Sequence, residues 1–394
     1  MRIQMAIIVR FLHIFESPSV PEVTFLEKAD RPTMKNLIKG LDILNEPYRP
    51  PGLWGRSGHL QTVAYGLLGH ASLRRTFDRR ASIHCSDGST VLFDVFEPIS
   101  KHESGLDITL ALTPGIANTS ESNYIRTCVH YAQERGTALQ FGHLGSTEEL
   151  RAMMNQLFND YPHSYFINIG FSMGANITTR FLIEASNKQK HFGWSSETSV
   201  NKQQIFALVY HKRRILMGLS VCQGYSASIS TAMYHDWENG RRIYNYFITE
   251  NMKRLLRRNY DQAVAPHVAK GLIDEQRLWS TTSIVAFDEN YNRRVAGFST
   301  VEAFYEWCDC LPHLPKLCVP MIFLNAEDDP IIPRSLWKPV KEFASHSEDV
   351  AFILTRHGGH LGFLEGGSFA PNSITWLDRF IVDMADKAVM LYTS

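Results

Sequence analysis

The sequence lacks the features that mark several classes of protein. Its 394 residues hold 40 lysines and arginines against 40 aspartates and glutamates, so no net charge indicates a nucleic-acid partner. Only six cysteines occur and none belongs to a CxxC pair, so neither a disulfide framework nor a metal site is predicted. One basic group, at positions 253, 254, 257 and 258, has helical spacing, and we interpret it as a solvated helix face.

Long hydrophobic runs are also missing. The apolar run at residues 5–15 is interrupted by Arg10 and His13, whereas a spanning helix needs about 20 apolar residues. No small-residue cleavage site follows the run, which disfavours a signal peptide. A helix lying on a surface or buried in the protein is the alternative interpretation.

What the sequence does contain is an alternation of strand-like and helix-like segments. Two strands joined at Asp87-Gly88 predict a hairpin, and Ser146 with Glu149 predicts a capped helix. This alternation predicts an α/β fold with a mostly parallel sheet and helices on both faces. A buried strand is predicted at 107–113, and further strands are predicted at 137–141, 164–170, 214–222, 319–326 and 349–355.

Residues 224–316 form a block that is mainly helical and rich in aromatic side chains. It lies between two predicted strands, where a cap over an active site would be inserted. We therefore expect an N-terminal segment at 1–50, a core at 51–223 and 317–394, and a helical cap at 224–316. The cap side chains expected to line the pocket are Tyr225, Trp237, Tyr244, Phe247, Trp279 and Phe287.

The stretch "GFSMGAN" at 170–176 indicates a nucleophile. It follows an apolar strand and precedes a helix, which is the context of a nucleophile elbow, where Ser172 is held on a strained turn. The neighbouring glycines leave room for that turn. A serine at the start of a helix also lies beside free backbone N–H groups that stabilise negative charge.

A serine nucleophile needs a base, and the base needs an acid to orient it. Acidic residues follow the strand at 319–326, and histidines follow the strand at 349–355, in the chain order expected for a sheet of this kind. Asp329, four residues before Pro333, is preferred over Asp328. His360 follows two glycines and is preferred over His357. The HxxH spacing has no third ligand placed with it, so a metal site is disfavoured.

Two backbone N–H groups are candidates for an oxyanion hole. One belongs to Met173, directly after the serine, and the second is expected at Ile116 in the loop "PGIAN" after the strand at 107–113. A lipase-like HGGG motif is absent from this loop.

With these residues in hand, the chain resembles the AB-hydrolase-4 group of the α/β-hydrolases. The likeness is carried by "LWGRSGHLQT", "TPGIANTSESNYIRT", "GFSMGAN", "SVCQGYSA", "NAEDDP" and "HGGHLGFLEGG". The resemblance implies an α/β-hydrolase fold, a triad of Ser172, Asp329 and His360, and hydrolysis of acylglycerols and small acyl esters without a cofactor. It also implies a single N-terminal membrane helix, of which the run at 5–15 is a shortened version.

The chain departs from the family pattern in two places. The loop after Gly145 is shorter by roughly twenty residues than the family's loop, which helps to wall the pocket. The segment 187–204 is a polar addition that we interpret as a surface loop.

Two hypotheses about function follow from the sequence. The first is a serine esterase or lipase that associates peripherally with membranes, through the run at 5–15 and the apolar mouth of its cap. The second is a lipid- or steroid-binding protein of the same fold in which catalysis is weak or lost.

Overall fold

The computed structural model describes residues 16–28, 30, 33–67, 77–85, 90–116, 122–142, 146–186, 214–235 and 240–393. The sequence predictions that lie outside these residues are the apolar run 5–15, the Asp87-Gly88 turn, the loop at Gly145, the segment 187–204 and Trp237.

A sheet of nine strands forms the centre of the described part of the chain. The strands are β1 (Glu22–Phe25), β2 (Arg79–His84), β3 (Thr90–Phe96), β4 (Ile108–Thr113), β5 (Ala138–Gly142), β6 (Tyr165–Phe171), β7 (Ile215–Val221), β8 (Met321–Ala326) and β9 (Val350–Thr355). Their order across the sheet is β1-β9-β8-β7-β6-β4-β5-β3-β2. Strands β4 to β9 pair in parallel, while β2, β3 and β1 pair antiparallel at the two edges.

Helices cover both faces of this sheet, as the alternating pattern predicts. Every residue of β4, β8 and β9 is buried, which is why these strands are mostly apolar along their length instead of alternating. Outside the segment 224–316, the helices are α1 (Thr33–Lys39), α2 (Gly58–Leu67), α3 (Asn123–Glu134), α4 (Thr147–Asp160) and α5 (Met173–Ser186), with two more near the C-terminus. The predicted capping box of α4 is present: Ser146 Oγ accepts from the backbone N–H of Glu149, and the Glu149 carboxylate accepts from that of Ser146.

The segment between β7 and β8 is helical, and its described residues contain no strand. Its helices are α6 (Ala227–Met233), α7 (Arg241–Arg258), α8 (Tyr260–Ala263), α9 (Ala265–Ala269), α10 (Glu275–Ser280), α11 (Ile284–Phe287), α12 (Arg293–Val295) and α13 (Val301–Cys308). A π-helical turn at Asp288–Asn292 joins α11 to α12. The chain then returns to the sheet, and α14 (Arg334–Ala344) and α15 (Trp376–Tyr392) complete the fold.

Two large apolar clusters hold the helices against the sheet. On one face α1, α3 and α15 contribute residues such as Leu37, Ile125 and Phe380. The other cluster includes Leu150 of α4, Phe181 of α5 and Trp337 of α14. The helical segment has a small cluster of its own, formed by Leu256, Val264, Ile273, Leu278, Phe287 and Tyr291.

The two ends of the helical segment are tied together beside the sheet. The backbone N–H groups of Cys310 and Leu311 donate to the carbonyl of Tyr225 at 3.2 and 3.3 Å. The carboxylate of Asp309 accepts from the hydroxyl of Ser226 at 2.8 Å. The segment therefore leaves and re-enters the core at a single point.

The N-terminal segment 1–50, which the sequence places ahead of the core, contributes to the sheet. Strand β1 pairs antiparallel with β9, with Val23 opposite Ile353, and Met34 and Leu37 of α1 join the main apolar cluster. Strand β1 has only four residues and none of them is fully buried. No hydrophobic periodicity marks such a short edge strand, which is why the sequence does not predict it.

Several aromatic residues expected to line a pocket in the segment 224–316 lie elsewhere. Tyr225 is fully buried and its hydroxyl donates to Asn325 at 2.6 Å, while Phe287 packs in the segment's own cluster, which Trp279 contacts. Phe247 is 60% exposed. The sequence identifies these residues as apolar but cannot tell which face of a helix points to the core.

Candidate active site

Ser172 lies on the sharp turn between β6 and α5. Its φ is +54°, a left-handed value that is strained for a residue with a side chain. The backbone N–H of Ser172 donates to the carbonyl of Val221 at 2.8 Å, which ties the turn to the end of β7. A side chain at Gly174 would collide with the carbonyl oxygens of Thr113 and Pro114. Gly174 thus allows the helix to begin directly against the loop after β4.

The side chains of Ser172, His360 and Asp329 form one hydrogen-bonded chain. His360 Nε2 lies 2.9 Å from Ser172 Oγ, and His360 Nδ1 lies 2.9 Å from Asp329 Oδ2. Asp329 is 3% exposed and His360 8% exposed, so both bonds lie in a region of low dielectric, where they are stronger than in water. The backbone N–H groups of Ile331 and Ile332 donate to the other carboxylate oxygen of Asp329 at 2.8 and 3.0 Å and fix its orientation.

The two competing candidates, Asp328 and His357, lie close to each other instead. His357 Nδ1 is 3.5 Å from Asp328 Oδ2, and His357 Nε2 is 3.4 Å from a carboxylate oxygen of Glu16. The other oxygen of Asp328 accepts from the backbone N–H of Gly359 at 2.8 Å. Burial raises the pKa of Asp328. Asp328 therefore holds the backbone of the histidine loop, whereas Asp329 contacts the ring of His360.

Helix α2 holds the histidine loop from the other side, and the sequence did not indicate this role. The backbone N–H of His360 donates to Thr62 Oγ1 at 2.8 Å. Gln61 is fully buried, and its amide oxygen accepts from the backbone N–H of Leu364 at 2.9 Å. Gly359 has a φ of +57°, and a side chain there would collide with the backbone of Gly58. The stretch "SGHLQT" was a signal of family likeness, but its contacts lie about 300 positions away in sequence.

The positions expected to form an oxyanion hole lie at adjoining points of the backbone. Met173 is the first residue of α5, so its N–H belongs to the first turn, whose donors have no partner within a helix. Ile116 lies in the loop that leaves β4, two residues after Pro114, against which Gly174 packs. The structure thus brings the two segments together at the start of α5.

Further side chains lie around Ser172, His360 and Asp329. Cys222, Asp329 and His360 present ligand atoms within 4.8 Å of one another, but the last two are already hydrogen-bonded to each other. Burial, and next the charge of Asp329, raise the pKa of the Cys222 thiol well above its usual value. On the side of the helical segment, the Tyr244 hydroxyl lies 3.0 Å from His59 Nδ1, and the two rings stack with centroids 5.8 Å apart.

A mostly parallel sheet with a serine on a strand-to-helix turn, an acid after β8 and a histidine after β9 is the arrangement of the α/β-hydrolase fold. The sequence is also similar to known proteins over nearly its whole length. The chain is 35% identical to abhydrolase domain-containing protein 2 of Drosophila melanogaster over 98% of this chain and 95% of that protein. It is 34% identical to human monoacylglycerol lipase ABHD2, over 96% and 88% of the two chains. The chain belongs to the family of abhydrolase domain-containing protein 2, and it is a hydrolase.

More distant comparisons give weaker likenesses. Human phospholipase ABHD3 is 24% identical over 86% of this chain and 78% of its own. An esterase from Pyrococcus furiosus is similar with a TM-score of 0.43 and 12% identity, over 79% of this chain and 91% of its own. Est1E from Butyrivibrio proteoclasticus has a TM-score of 0.42 and 11% identity, over 80% and 98% of the two chains. No family model matches the chain.

Proposed function

We propose that the protein is a serine carboxylic-ester hydrolase that acts on acylglycerols and short acyl esters through Ser172, His360 and Asp329. The observation that carries the proposal is the pair of 2.9 Å contacts that joins the serine oxygen to the imidazole and the imidazole to the carboxylate. Relatives at 34–35% identity that are named monoacylglycerol lipases support the acylglycerol substrate.

In the first half of the reaction, Ser172 Oγ attacks the ester carbonyl while its proton moves to His360 Nε2. The negative charge that develops on the carbonyl oxygen is stabilised by the backbone N–H groups of Met173 and Ile116. Collapse of this intermediate breaks the bond to the alcohol, which leaves with the proton from His360. An acyl group is then held on Ser172.

In the second half, water takes the place of the alcohol. His360 removes a proton from the water, the resulting hydroxide attacks the acyl carbonyl, and the proton returns to Ser172 Oγ as the carboxylic acid leaves. Asp329 keeps the imidazole in the tautomer and orientation that both halves need. No cofactor takes part in either step.

We further propose that residues 224–316 form a cap beside the site and that the protein associates with membrane surfaces, where acylglycerols are found. The contact between Tyr244 of α7 and His59 of α2 supports the position of the cap. Within the described residues, no helix is long and apolar enough to cross a membrane. Peripheral association is the mode that the short run at 5–15 favours.

A fluorophosphonate probe tests this function directly. The probe forms a covalent bond with a serine only when a base activates it, so the intact protein should be labelled and the Ser172→Ala variant should not. Mass spectrometry of the labelled peptide should place the adduct on Ser172. A folded wild-type protein that stays unlabelled would instead support the lipid-binding alternative.

A further inference from the structure

The buried face of helix α7 is mostly polar, and several of its apolar residues are exposed. Its buried residues are Arg241, Asn245, Thr249, Lys253 and Leu256, four of which are polar or charged. The exposed residues include Ile243 (52%), Tyr246 (45%), Phe247 (60%) and Leu255 (45%). A surface helix normally has the opposite arrangement, with its apolar stripe facing the core. The outward residues therefore do not serve the packing of this segment.

The buried polar residues of α7 have structural partners, which accounts for the inward face. Lys253 Nζ donates to the backbone carbonyl of Thr281 at 2.7 Å and forms an ion pair with Glu250 at 2.6 Å. Asn245 accepts from the backbone N–H of Ile284 and donates to the carbonyl of Tyr234, at 2.7 and 3.0 Å. Lys253 is thus not part of a solvated face, contrary to the interpretation from the sequence.

The outward face combines apolar and basic residues in one stripe. Ile243, Phe247, Arg254 and Arg258 follow one another at spacings of four, seven and four positions, which keeps them on one side of a helix. All four are exposed. The one carboxylate of the helix, Glu250, is paired with Lys253. This face therefore offers apolar side chains and positive charge together.

The apolar part of the stripe begins at the end of α7 that lies near the reacting groups. Tyr244, next to Ile243, contacts His59 of α2. One helical turn further along α2, Thr62 accepts a hydrogen bond from the backbone N–H of His360. Burial raises the pKa of Tyr244 to about 12, and the charge of Asp329 adds to this effect. A ligand bound to the outward face would lie beside the site.

We propose that the outward face of α7 docks the protein onto a lipid bilayer that contains anionic headgroups. This inference rests on the proposed hydrolysis of lipid esters, since such substrates reside in bilayers. Aromatic and aliphatic side chains enter the boundary between headgroups and acyl chains, and arginines pair with the anionic headgroups. A helix of this composition lies in the plane of the interface without spanning it.

Flotation with vesicles of phosphatidylcholine and phosphatidylserine tests the docking surface in the intact chain. The double variant Ile243→Ser, Phe247→Ser should lose vesicle affinity by roughly tenfold or more, because two exposed apolar side chains no longer enter the interface. A matched control is Ile99→Ser with Met390→Ser, which removes two comparably exposed apolar side chains from outside the helical segment. The control should bind as the wild type does, and thermal melting should show that both variants are folded.

A second variant tests the charge. Arg254→Gln with Arg258→Gln should weaken binding to the anionic vesicles by about tenfold and leave binding to pure phosphatidylcholine vesicles unchanged. Higher salt should reduce the difference, because it screens exposed charges.

Three results would overturn the proposal. The first is a wild type that does not bind the anionic vesicles, and the second is an Ile243, Phe247 double variant that floats as the wild type does. The third is a wild-type dimer in sedimentation that this variant converts to a monomer, since the face would then be a protein interface. None of these readouts needs catalysis, so an unlabelled Ser172 in the fluorophosphonate test refutes the proposed function separately.

Discussion

Two neighbouring aspartates at the end of β8 act on different parts of the histidine loop. Asp329 contacts the ring of His360 at 2.9 Å, whereas Asp328 accepts from the backbone N–H of Gly359 at 2.8 Å. In the sequence, the placement after a strand gave this pair, and the position of Pro333 favoured Asp329 over Asp328. The structure distinguishes the two aspartates, because the ring of His360 faces Asp329 and the backbone of the same loop faces Asp328.

Asp329→Asn should lower kcat on the order of 10⁴-fold, as the corresponding change does in serine proteases, because the imidazole is then held in the wrong tautomer. Steady-state hydrolysis of a short acyl ester measures this effect. Asp328→Asn is the matched control, and its kcat should fall far less. Equal losses of kcat in the two variants would contradict the assignment of Asp329.

Thr62 is a positioning residue, because it holds the backbone of His360 and not the reacting atoms. Thr62→Val removes the acceptor for the His360 N–H while keeping the shape, and a buried donor without a partner costs about 1–3 kcal/mol. We expect kcat to fall by roughly tenfold with KM nearly unchanged. Thr62→Ser keeps the hydroxyl and should restore kcat. If Thr62→Val and Thr62→Ser both lowered the stability but kept the kcat of the wild type, the role of Thr62 would be structural only.

The helical segment 224–316 contains a buried carboxylic acid, Asp288, in a π-helical turn. Asp288 begins the π-helical turn, and its carboxylate accepts from the hydroxyl of Tyr305 at 2.7 Å and from the amide of Asn292 at 2.5 Å. Burial raises the pKa of Asp288 from 3.8 to about 6. The folded protein therefore holds this proton more tightly than the unfolded chain does.

The sign of the pH dependence follows from this pKa difference. Below about pH 4, Asp288 is protonated in both the folded and the unfolded state, so it adds no pH dependence. Between about pH 4 and pH 6, Asp288 ionises in the unfolded chain but keeps its proton in the folded protein, so the free energy of unfolding falls as the pH rises. Above pH 6 the loss is complete, on the order of 2–3 kcal/mol. Asp288→Asn cannot ionise, so its melting temperature relative to that of the wild type should rise through this pH range. A difference that stays flat with pH would contradict the prediction.

The elements that the sequence predicted well are those that a pattern in consecutive residues identifies. Strands such as β4 and β9 are mostly apolar because helices cover both faces, and the capping box at Ser146 is a local pattern. Helix α2, in contrast, contacts the histidine loop through the polar side chains of Gln61 and Thr62. Their partners lie about 300 positions away, and single-sequence periodicity contains no information about such a pairing.

The described part of the molecule consists of two parts that differ in construction. The sheet side is a dense core, whereas the helical segment has a small cluster of its own and is tied to the core where it leaves and re-enters it, between Tyr225 and Leu311. The outward apolar residues of α7 lie on the second part.

The short apolar run at 5–15 bears on the proposed attachment to membranes. As a helix, eleven residues would extend about 17 Å at 1.5 Å per residue, whereas the hydrocarbon core of a bilayer is roughly 30 Å thick. Arg10 at the centre of this run adds about 3 kcal/mol against insertion. We therefore expect carbonate extraction of membranes from expressing cells to release much of the protein, while a single-pass control protein stays in the pellet. Complete retention in the pellet that disappears when residues 1–20 are deleted would establish a spanning anchor and contradict peripheral association.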